Sequence, residues 1–398
     1  MLEGKNIVLG VCGGIAAYKA ADVVSRLKKM AAEVSVIMTK SACELISPAT
    51  FRALSQNPVS VSVFDEPKTW EINHISLAER ADVFLVAPAT ANVIGKIAGG
   101  IADDMLTTSI MASLAPKLIA PAMNTNMFEN PIVRENLKKL EGLGYTIIPP
   151  RSSRLACGTV GTGALAEAED IVEAVCAAVM TKDMAGVRIL VTAGPTVEDI
   201  DPVRFITNHS SGKMGYAIAR AANFRGADVT LISGPVTIKP PVGVNLINVR
   251  SADEMYEAVM ENYRDMDIII KAAAVGDFKP ETTAGHKIKK SGGLTVDLVK
   301  NRDILKDLGK IKENRVIVGF CMETENLVEN AKQKLWAKNA DMIVANSLTE
   351  PGAGFGTDTN KVVIIDKMGG LSEMPLLSKD AVAGEILSRA FEIMEKKL

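Results

Sequence analysis

The stretch of residues 5–29, KNIVLGVCGGIAAYKAADVVSRLKK, decides the fold of the first half of the chain. An apolar run ends at Gly13 and Gly14, and a segment with helical periodicity follows it. This order predicts a strand, a tight turn and a helix. Residues 186–196, GVRILVTAGPT, repeat the strand and the glycine turn. The sequence therefore predicts an α/β fold class with two doubly wound, mostly parallel-sheet domains.

Apolar runs alternate with helical patterns through both halves of the chain, and the segment TKDMAG at residues 181–186 lies between them. We expect one domain over residues 1–181 and a second over residues 187–398. Two domains agree with a length of 398 residues, since a domain takes roughly 100–200. Ligands of such sheets bind at the carboxyl ends of the strands, so the loops there are the candidate sites.

The composition excludes several classes of function. The 45 basic and 47 acidic residues give a net charge of −2, which argues against a nucleic-acid or anionic-membrane surface. No apolar run approaches the roughly 18 residues that span a bilayer, and the N-terminus lacks a secretory signal pattern. The five cysteines form no CxxC pair, so a disulfide framework is not expected. We expect a cytoplasmic protein with small-molecule substrates.

The first glycine turn does not carry the dinucleotide fingerprint. The pattern G-x-G-x-x-G is missing, and the second strand ends VIMTKS without an acidic residue for a ribose hydroxyl. An NAD-dependent dehydrogenase is therefore disfavoured. A glycine turn before a helix still presents N–H groups to a phosphate, and Thr39 and Ser41 add hydroxyl donors. These residues suit a mononucleotide such as FMN, and a plain tight turn explains them equally well.

Four further places in the first half carry polar side chains after predicted strands. Thr90 and Asn92 lie in PATAN, where they are either ligand contacts or helix caps. Asn124 lies in PAMNTNM, where its amide could hold a carboxylate or simply form a turn. His74 precedes a helical pattern and is either a general base or an ordinary surface histidine. Cys157 lies in the glycine-rich loop of residues 151–167, which is typical of a binding flap.

The second half carries one long polar segment at residues 192–215, TAGPTVEDIDPVRFITNHSSGKMG. Its hydroxyls, glycines and lysine before a helix suit phosphate binding, although it is not a Walker P-loop. The basic run KIKK occupies residues 287–290, and Lys334 and Lys338 share one helix face. Both features are either ordinary solvated surface or the counter-charges of a triphosphate.

The motifs occur in an order that resembles two known families. GGIAAYK, the His74-Ile75 pair, PATAN, GIADDML, PAMNTNM and ACGTVGTG resemble the FMN-dependent cysteine decarboxylases. TAGPT, DPVR, NHSSGKMG, KAAAV, KIKK, GF-x-x-ET and VANS resemble phosphopantothenate–cysteine ligases. Joined in this order they resemble the bifunctional enzymes of coenzyme A biosynthesis, from Gly13 to about Lys361.

The resemblance implies a two-step activity. The domain of residues 187–398 would ligate cysteine to 4'-phosphopantothenate through an acyl-cytidylate, using CTP and Mg²⁺. The domain of residues 1–181 would decarboxylate phosphopantothenoylcysteine to 4'-phosphopantetheine, with FMN oxidising the thiol to a thioaldehyde that stabilises the decarboxylation product. The family also implies a homo-oligomer, with trimeric flavin domains and dimeric ligase domains.

The resemblance assigns roles to residues of the first half. His74 would be the base of the oxidative step, Asn124 would hold the substrate carboxylate, and Cys157 would protonate the enethiolate. The remaining matched residues would contact FMN: Gly13, Gly14, Ile15, Thr39, Ser41, Thr90, Ala91, Asn92 and Ala122.

In the second half, Asn208 would hold the acyl-cytidylate, Arg204 would support that site, and Lys287 would act in catalysis from the basic run. The residues expected to contact CTP are Lys271, Ala272, Ala273, Asp277, Lys287, Asn301, Arg302, Asp303, Ile304, Phe320, Lys334 and Lys338. The resemblance assigns no protein ligands to the metal.

The chain departs from the family pattern at several positions. Ala164-Leu165 stands where an arginine is usual after the last glycine of the loop, and Arg151 and Arg154 lie nearby in sequence. Arg302 replaces a proline, Val197 replaces a common arginine, and residues 321–322 are Cys-Met where alanines are usual.

Three other functions remain as alternatives. A peptide cysteine decarboxylase or a flavin prenyltransferase would use the first half alone, which leaves the ligase-like half unexplained. A regulatory protein would bind FMN and release no CO₂. The retained His74, Asn124, Cys157 and Lys287 favour an enzyme.

Overall fold

The computed structural model describes residues 2–64, 72–154, 160–289, 294–323, 326–347, 354 and 356–397. The chain divides into two compact units, Met1–Met180 and Thr181–Leu398. The segment expected to join the domains packs on the second unit, where the backbone N–H of Met184 donates to the Arg225 carbonyl at 2.9 Å. Over the described ranges, we find no helix with the length and apolarity needed to cross a bilayer.

The first unit is built on parallel strands. Its strands are β1 Asn6–Val11, β2 Glu33–Met38, β3 Val59–Ser60, β4 Val83–Ala89, β5 Lys117–Pro121, β6 Thr146–Ile147, β7 Arg151–Arg154 and β8 Val160–Ala164. The first six form one sheet in the order β3-β2-β1-β4-β5-β6, with every pair parallel. The order reverses between β1 and β4, and ligands of doubly wound sheets bind at this point.

Helices connect these strands. They are α1 Ala20–Lys29, α2 Lys40–Cys43, α3 Pro48–Ser55, α4 Asn73–Arg80, α5 Ala91–Gly99, α6 Met105–Ala112, α7 Thr125–Glu129, α8 Pro131–Gly142 and α9 Ala168–Val179, with a 3-10 turn at Ile15–Lys19. In α8, Val133, Leu137 and Leu140 are buried on one face. This spacing of apolar residues produces an amphipathic helix that covers the sheet.

The second unit repeats the same arrangement with more strands. They are β9 Arg188–Ala193, β10 Val197–Asp199, β11 Phe205–Thr207, β12 Asp228–Ser233, β13 Asn245–Asn248, β14 Ile268–Lys271, β15 Phe278–Pro280, β16 Leu298–Lys300, β17 Val316–Glu323, β18 Met342–Ser347, β19 Thr359–Asn360, β20 Val362–Asp366, β21 Leu371–Glu373 and β22 Leu377–Ser378. The main sheet has the order β13-β12-β9-β14-β17-β18-β20-β21. Its first six members are parallel, and β20 and β21 are antiparallel.

The helices of the second unit cover both faces of this sheet. They are α10 Lys213–Phe224, α11 Ala252–Asn262, α12 Ile304–Lys310, α13 Leu327–Ala337 and α14 Lys379–Glu395, with a 3-10 turn at Tyr263–Asp265. Two separate apolar clusters lie against the sheet, one including Ile218 of α10 and the other including Leu335 of α13. The predicted α/β class with two mostly parallel sheets is confirmed.

Three segments that the sequence leaves as loops contain strand pairs. In the glycine-rich loop of residues 151–167, β7 pairs antiparallel with β8, and residues 155–159 lie outside the described residues. The long polar segment after β9 contains the β10–β11 hairpin. The basic run lies between β15 and β16, which also pair antiparallel.

Candidate active sites

The first site of interest lies where β1 and β4 end. The backbone N–H of Cys12 donates to the Pro88 carbonyl at 3.3 Å and joins the two strand ends. A Cβ placed on Gly13 would lie 2.3 Å from Cβ of Ser41. Since such a contact is sterically impossible, only glycine lets this turn approach the loop after β2.

Polar side chains at three strand ends cap the helices that follow. Oγ1 of Thr39 accepts from the Ala42 N–H at 3.2 Å, and Oγ1 of Thr90 accepts from the Val93 N–H at 3.4 Å. Oδ1 of Asn124 accepts from the Asn126 N–H at 2.9 Å. The capping interpretation of Thr90 is therefore correct. Capping uses only an acceptor, so the hydroxyl proton of Thr39 can still be donated to a ligand.

A cavity of about 590 Å³ opens at these strand ends, within the roughly 300–1,000 Å³ of small-molecule sites. Eight residues expected to contact FMN line it: Gly13, Gly14, Thr39, Ser41, Thr90, Ala91, Asn92 and Ala122. Ile15, His74 and Asn124 are not part of this lining. Ile15 is exposed, and His74 is half-buried in the first turn of α4. Cys157 lies outside the described residues.

Sequence reasoning missed one charged cluster in this cavity. Lys96 Nζ lies 2.7 Å from Oδ1 of Asp103 and 3.6 Å from Oδ2 of Asp104. The hydrogen bond to Asp103 raises the pKa of Lys96, and the same bond lowers the pKa of Asp103. Asp104 also caps α6, because its side chain accepts from the Thr107 N–H. The motif GIADDML, used only for the resemblance, holds both acids.

The β7–β8 hairpin packs against the loop that carries Asn124. The Met123 N–H donates to the Gly163 carbonyl at 2.9 Å, and a Cβ on Gly163 would lie 2.4 Å from the Met123 carbonyl oxygen. Arg151 donates to the Leu165 carbonyl at 3.1 Å and pairs with Glu167. These contacts hold the guanidinium of Arg151 against the residues that follow β8, close in sequence to Ala164. The side chain of Arg154 is not among those described.

The second site lies at the carboxyl ends of β9, β14 and β17. Two cavities of about 260 and 550 Å³ share Lys271, Val275, Asp277, Phe320 and Lys334 in their linings. Together they contain all the expected CTP contacts except Lys287: Lys271, Ala272, Ala273, Asp277, Asn301, Arg302, Asp303, Ile304, Phe320, Lys334 and Lys338. Residues 321 and 322 line the smaller cavity.

Lys271 lies where the two cavities meet. Burial of its ammonium group, together with the nearby charge of Lys334, lowers the pKa to about 8. The carboxylates of Asp303 and Asp277 oppose this shift. An ammonium group with few counter-charges is electrostatically matched to an anionic ligand.

Asp303 and Lys338 form an ion pair at the larger cavity. Asp303 also caps α12, because Oδ1 accepts from the Lys306 N–H at 2.9 Å. Burial raises the pKa of Asp303, but Lys338 and the Lys306 N–H lower it by more. The face that Lys334 and Lys338 share is therefore turned towards a cavity.

Arg302 has its guanidinium turned towards α11. It pairs with Asp253 at 3.1 Å and Glu257 at 2.8 Å, and its Cζ lies 4.0 Å from the ring centre of Tyr256. With its guanidinium bonded in this way, Arg302 contributes to the cavity as part of the wall.

The residues expected to hold the acyl-cytidylate lie on the β10–β11 hairpin and the loop after it. Nδ2 of Asn208 donates to the Ala274 carbonyl at 3.0 Å. The buried carboxylate of Asp201 accepts from the N–H groups of Arg204 at 2.8 Å and Ile288 at 3.1 Å. Asp201 thus fixes the start of the basic run, where Lys287 is exposed.

Two lysines of the smaller cavity had no place in the expected set. Lys213 begins α10 and Lys379 begins α14, and both line the cavity with Ser210 and Ser211. Lys213 was visible in the motif NHSSGKMG. Lys379 carried no signal, because it lies in no phosphate-binding motif and 166 positions separate the two lysines in the sequence.

Comparison with known proteins identifies the family. A family model described as "Flavoprotein" matches residues 1–180, and one described as "DNA/pantothenate metabolism flavoprotein C-terminal domain" matches residues 184–394. The "Coenzyme A biosynthesis bifunctional protein CoaBC" of Bacillus subtilis (strain 168) is 51% identical over 392 residues, which cover 97% of each chain. The protein of that name from Vibrio cholerae serotype O1 is 47% identical over 397 residues, 99% of each chain.

Among solved structures, the C-terminal domain of a coenzyme A biosynthesis bifunctional protein CoaBC is 44% identical. It covers 54% of this chain and 100% of that chain, with a TM-score of 0.48. The near full-length relatives and the two family models agree with the order of motifs along the sequence. This chain therefore belongs to the family of bifunctional enzymes of coenzyme A biosynthesis.

Proposed function

We propose that the second unit ligates cysteine to 4'-phosphopantothenate with CTP, and that the first unit decarboxylates the product with FMN to give 4'-phosphopantetheine. The observation that carries this proposal is the lysine-lined pair of cavities at the strand ends of the second unit. The cavity of the first unit, whose lining includes Gly13 and Gly14, supports the decarboxylase assignment. The ligase step comes first in the reaction, although its unit comes second in the chain.

The residues of the first cavity fit FMN. The turn at Gly13 brings the backbone close to the loop of Ser41, and hydroxyls of Thr39 and Thr90 lie at helix starts, where N–H groups attract phosphate. Bound there, the flavin would supply reversible oxidation of the substrate thiol, which makes loss of CO₂ possible. The protein would position the substrate and transfer protons to and from it.

Three residues would position the substrate and transfer its protons. Asn124, whose Oδ1 accepts from the Asn126 N–H, would hold the substrate carboxylate through its amide nitrogen, a hydrogen-bond donor. His74 would remove a proton in the oxidative step. Cys157 would return one to the enethiolate carbon after CO₂ has left.

In the ligase unit, a carboxylate oxygen of phosphopantothenate would attack the α-phosphorus of CTP and release pyrophosphate. The amine of cysteine would then attack the acyl carbon, CMP would leave, and the amine would lose a proton. Asn208 would hold the acyl-cytidylate, with Arg204 in support, while Lys271, Lys287 and Lys334 would offset the negative charge of the transferring phosphates.

The cavity residues also fit Mg²⁺ that arrives with the nucleotide. Over the described ranges no group of three or more His, Cys, Asp or Glu side chains could hold a metal ion. Mg²⁺ commonly binds through substrate phosphates and one or two carboxylates, and Asp277 lines both cavities. The metal would neutralise phosphate charge.

We propose that the chain works in the cytoplasm as a homo-oligomer, with trimeric flavin units and dimeric ligase units. Cys12 and Cys43 are free thiols, which agrees with a reducing compartment. Large apolar side chains such as Ile15, Tyr18 and Leu114 are exposed on the first unit, as expected of a subunit interface. Light scattering of the purified protein measures the subunit number.

The test incubates the purified chain with phosphopantothenate, cysteine and Mg²⁺, with CTP or ATP in parallel, and identifies products by mass spectrometry. Phosphopantetheine with CTP supports both assignments. Accumulation of phosphopantothenoylcysteine means an active ligase beside an impaired decarboxylase, and Ala164 would be examined first. Formation of neither product would favour a flavin-binding protein without catalysis.

A further inference from the structure

Three charged side chains at the smaller ligase cavity have no role in the function proposed above. Lys213, the first residue of α10, lines the cavity. Its Nζ lies 2.9 Å from the Gly356 carbonyl oxygen and 2.7 Å from Oδ1 of Asp358. This lysine therefore borders the substrate space while its ammonium group is bonded to a neighbouring segment.

Lys379 holds the same segment in a different way. Its side chain is buried, and Nζ donates to the carbonyls of Thr357 at 2.5 Å and Gly354 at 3.4 Å. The backbone N–H of Lys379 donates to the Asp358 carbonyl at 3.0 Å. Since these partners are backbone atoms, the segment stays anchored whether or not Lys213 remains bonded to it.

The lining of the smaller cavity has a clear excess of positive charge. Lys213, Lys271, Lys334 and Lys379 line it, and Asp277 is the acidic side chain among the lining residues. Neither Lys271 nor Lys334 forms a salt bridge with any residue that the structure describes. The hydroxyls of Ser210 and Ser211 add hydrogen-bond donors. Ammonium groups and hydroxyls together form a site for a phosphate group.

The bond between Lys213 and Asp358 is suited to exchange. The Asp358 side chain is 90% exposed, whereas that of Lys213 is 34% exposed. An exposed carboxylate is well hydrated after it leaves its partner, and exposed ion pairs contribute little stability. A phosphate inside the cavity would meet several cations at once and would be less hydrated.

We propose that Lys213 binds a phosphate group of a ligase substrate, and that Asp358 holds Lys213 until that phosphate replaces its carboxylate. The inference rests on the proposed ligase function of the second unit. The phosphate would come either from the triphosphate of CTP or from the phosphomonoester of phosphopantothenate. Both substrates present a phosphate group to Lys213. Titration with each substrate and with its counterpart that lacks the phosphate distinguishes the two sources.

The test is calorimetric titration of the full chain with MgCTP, CMP, phosphopantothenate and pantothenate. Lys213→Met should weaken binding of one phosphorylated ligand, either MgCTP or phosphopantothenate, about tenfold. The affinity for the matching ligand that lacks this phosphate, CMP or pantothenate, should not change. Lys213→Arg should restore part of the affinity. Asp358→Asn should tighten the same ligand about two- to fivefold, because the competing carboxylate is removed.

The pair Arg220–Asp380 supplies the matched control. Arg220 lies on the same helix and contacts Asp380 at 3.2 Å, with intermediate exposure on both sides. Arg220→Met and Asp380→Asn should leave all four titrations unchanged. If they weaken binding as much as the Lys213 variant does, the effect is structural and the proposal fails.

Two further outcomes overturn the inference. Unchanged affinities in Lys213→Met exclude a contact with phosphate, and weaker binding in Asp358→Asn excludes competition by that carboxylate. If the unaltered protein binds no CTP and forms no phosphopantothenoylcysteine, the proposed ligase function itself is wrong. If the unaltered protein ligates cysteine normally and Lys213→Met leaves every affinity unchanged, the inference about Lys213 is wrong while the proposed function stands.

Discussion

The lowered pKa of Lys271 predicts that nucleotide binding depends on pH. Burial and the charge of Lys334 bring this pKa to about 8, from the ordinary 10.5. A bound triphosphate would supply the missing counter-charge and restore the ordinary value. Binding would then favour the protonated lysine, so the affinity for CTP should fall as the pH rises through 8.

The size of the effect follows from the two pKa values. With a pKa of about 8, roughly three quarters of Lys271 is protonated at pH 7.5 and roughly one tenth at pH 9. In the complex the lysine remains protonated over this range. The apparent affinity for CTP should therefore fall about eightfold between pH 7.5 and pH 9. Phosphate groups with a second pKa of about 6 stay ionised throughout.

Calorimetric titration with MgCTP at both pH values, in buffers of different ionisation enthalpy, measures the affinity and the proton uptake together. Lys271→Met should bind CTP more weakly at pH 7.5 and should lose the dependence on pH. A decrease of less than twofold in the unaltered protein would refute the reasoning. So would an eightfold decrease that persists in Lys271→Met, because another group would then be titrating.

Three other predictions test the first site, the division of labour and the core. Gly13→Ala should purify with little flavin absorbance, because its Cβ would lie 2.3 Å from that of Ser41, whereas Gly142→Ala, with open space around it, should keep the flavin. His74→Asn should stop CO₂ release while phosphopantothenoylcysteine still accumulates, and loss of ligation in that variant would contradict the two-domain assignment. Asp341→Asn should cost about 3 kcal/mol in urea unfolding, because it breaks the ion pairs of a buried carboxylate with two partly buried lysines. Burial raises the pKa of Asp341, but the two lysines and a backbone N–H lower it by more. The stability it contributes should therefore be present at neutral pH, begin to fall below about pH 4 and be lost as the pH falls through the lowered pKa, a decline followed by repeating the unfolding at successively lower pH.

The fold could be predicted from the sequence because its signals are local. Strand runs such as residues 83–89 are apolar throughout, and glycine turns and helical periodicity follow them. The β7–β8 and β10–β11 hairpins gave no such signal. Their strands RSSR, VGTGA, VED and FIT are short and mostly polar or small, and they pair outside the main sheets. Only the pairing between the two strands of each hairpin distinguishes them from loops.

The candidate sites could be predicted only in part. The segment before α10 could be predicted to bind phosphate, since hydroxyls, glycines and a lysine precede a helix within one stretch of chain. Lys379 was not, because the topology alone brings the start of α14 to the same cavity. The partners of Arg151 could not be predicted for a similar reason. Proximity in sequence says nothing about Glu167 and the Leu165 carbonyl, which occupy that guanidinium.

The departure at Arg302 shows how a substitution beside the larger cavity can preserve the fold of a loop. A proline at this position would restrict the backbone just before Asp303, the residue that caps α12. Arg302 instead fastens the loop to α11 through Asp253, Glu257 and Tyr256. Asp253 also pairs with Lys279 of β15, so the loop is tied to two elements of the second unit. The constraint that the ring would impose on one dihedral angle is thus supplied by side-chain contacts. The stretch 301–304 can keep its position at the cavity without the proline.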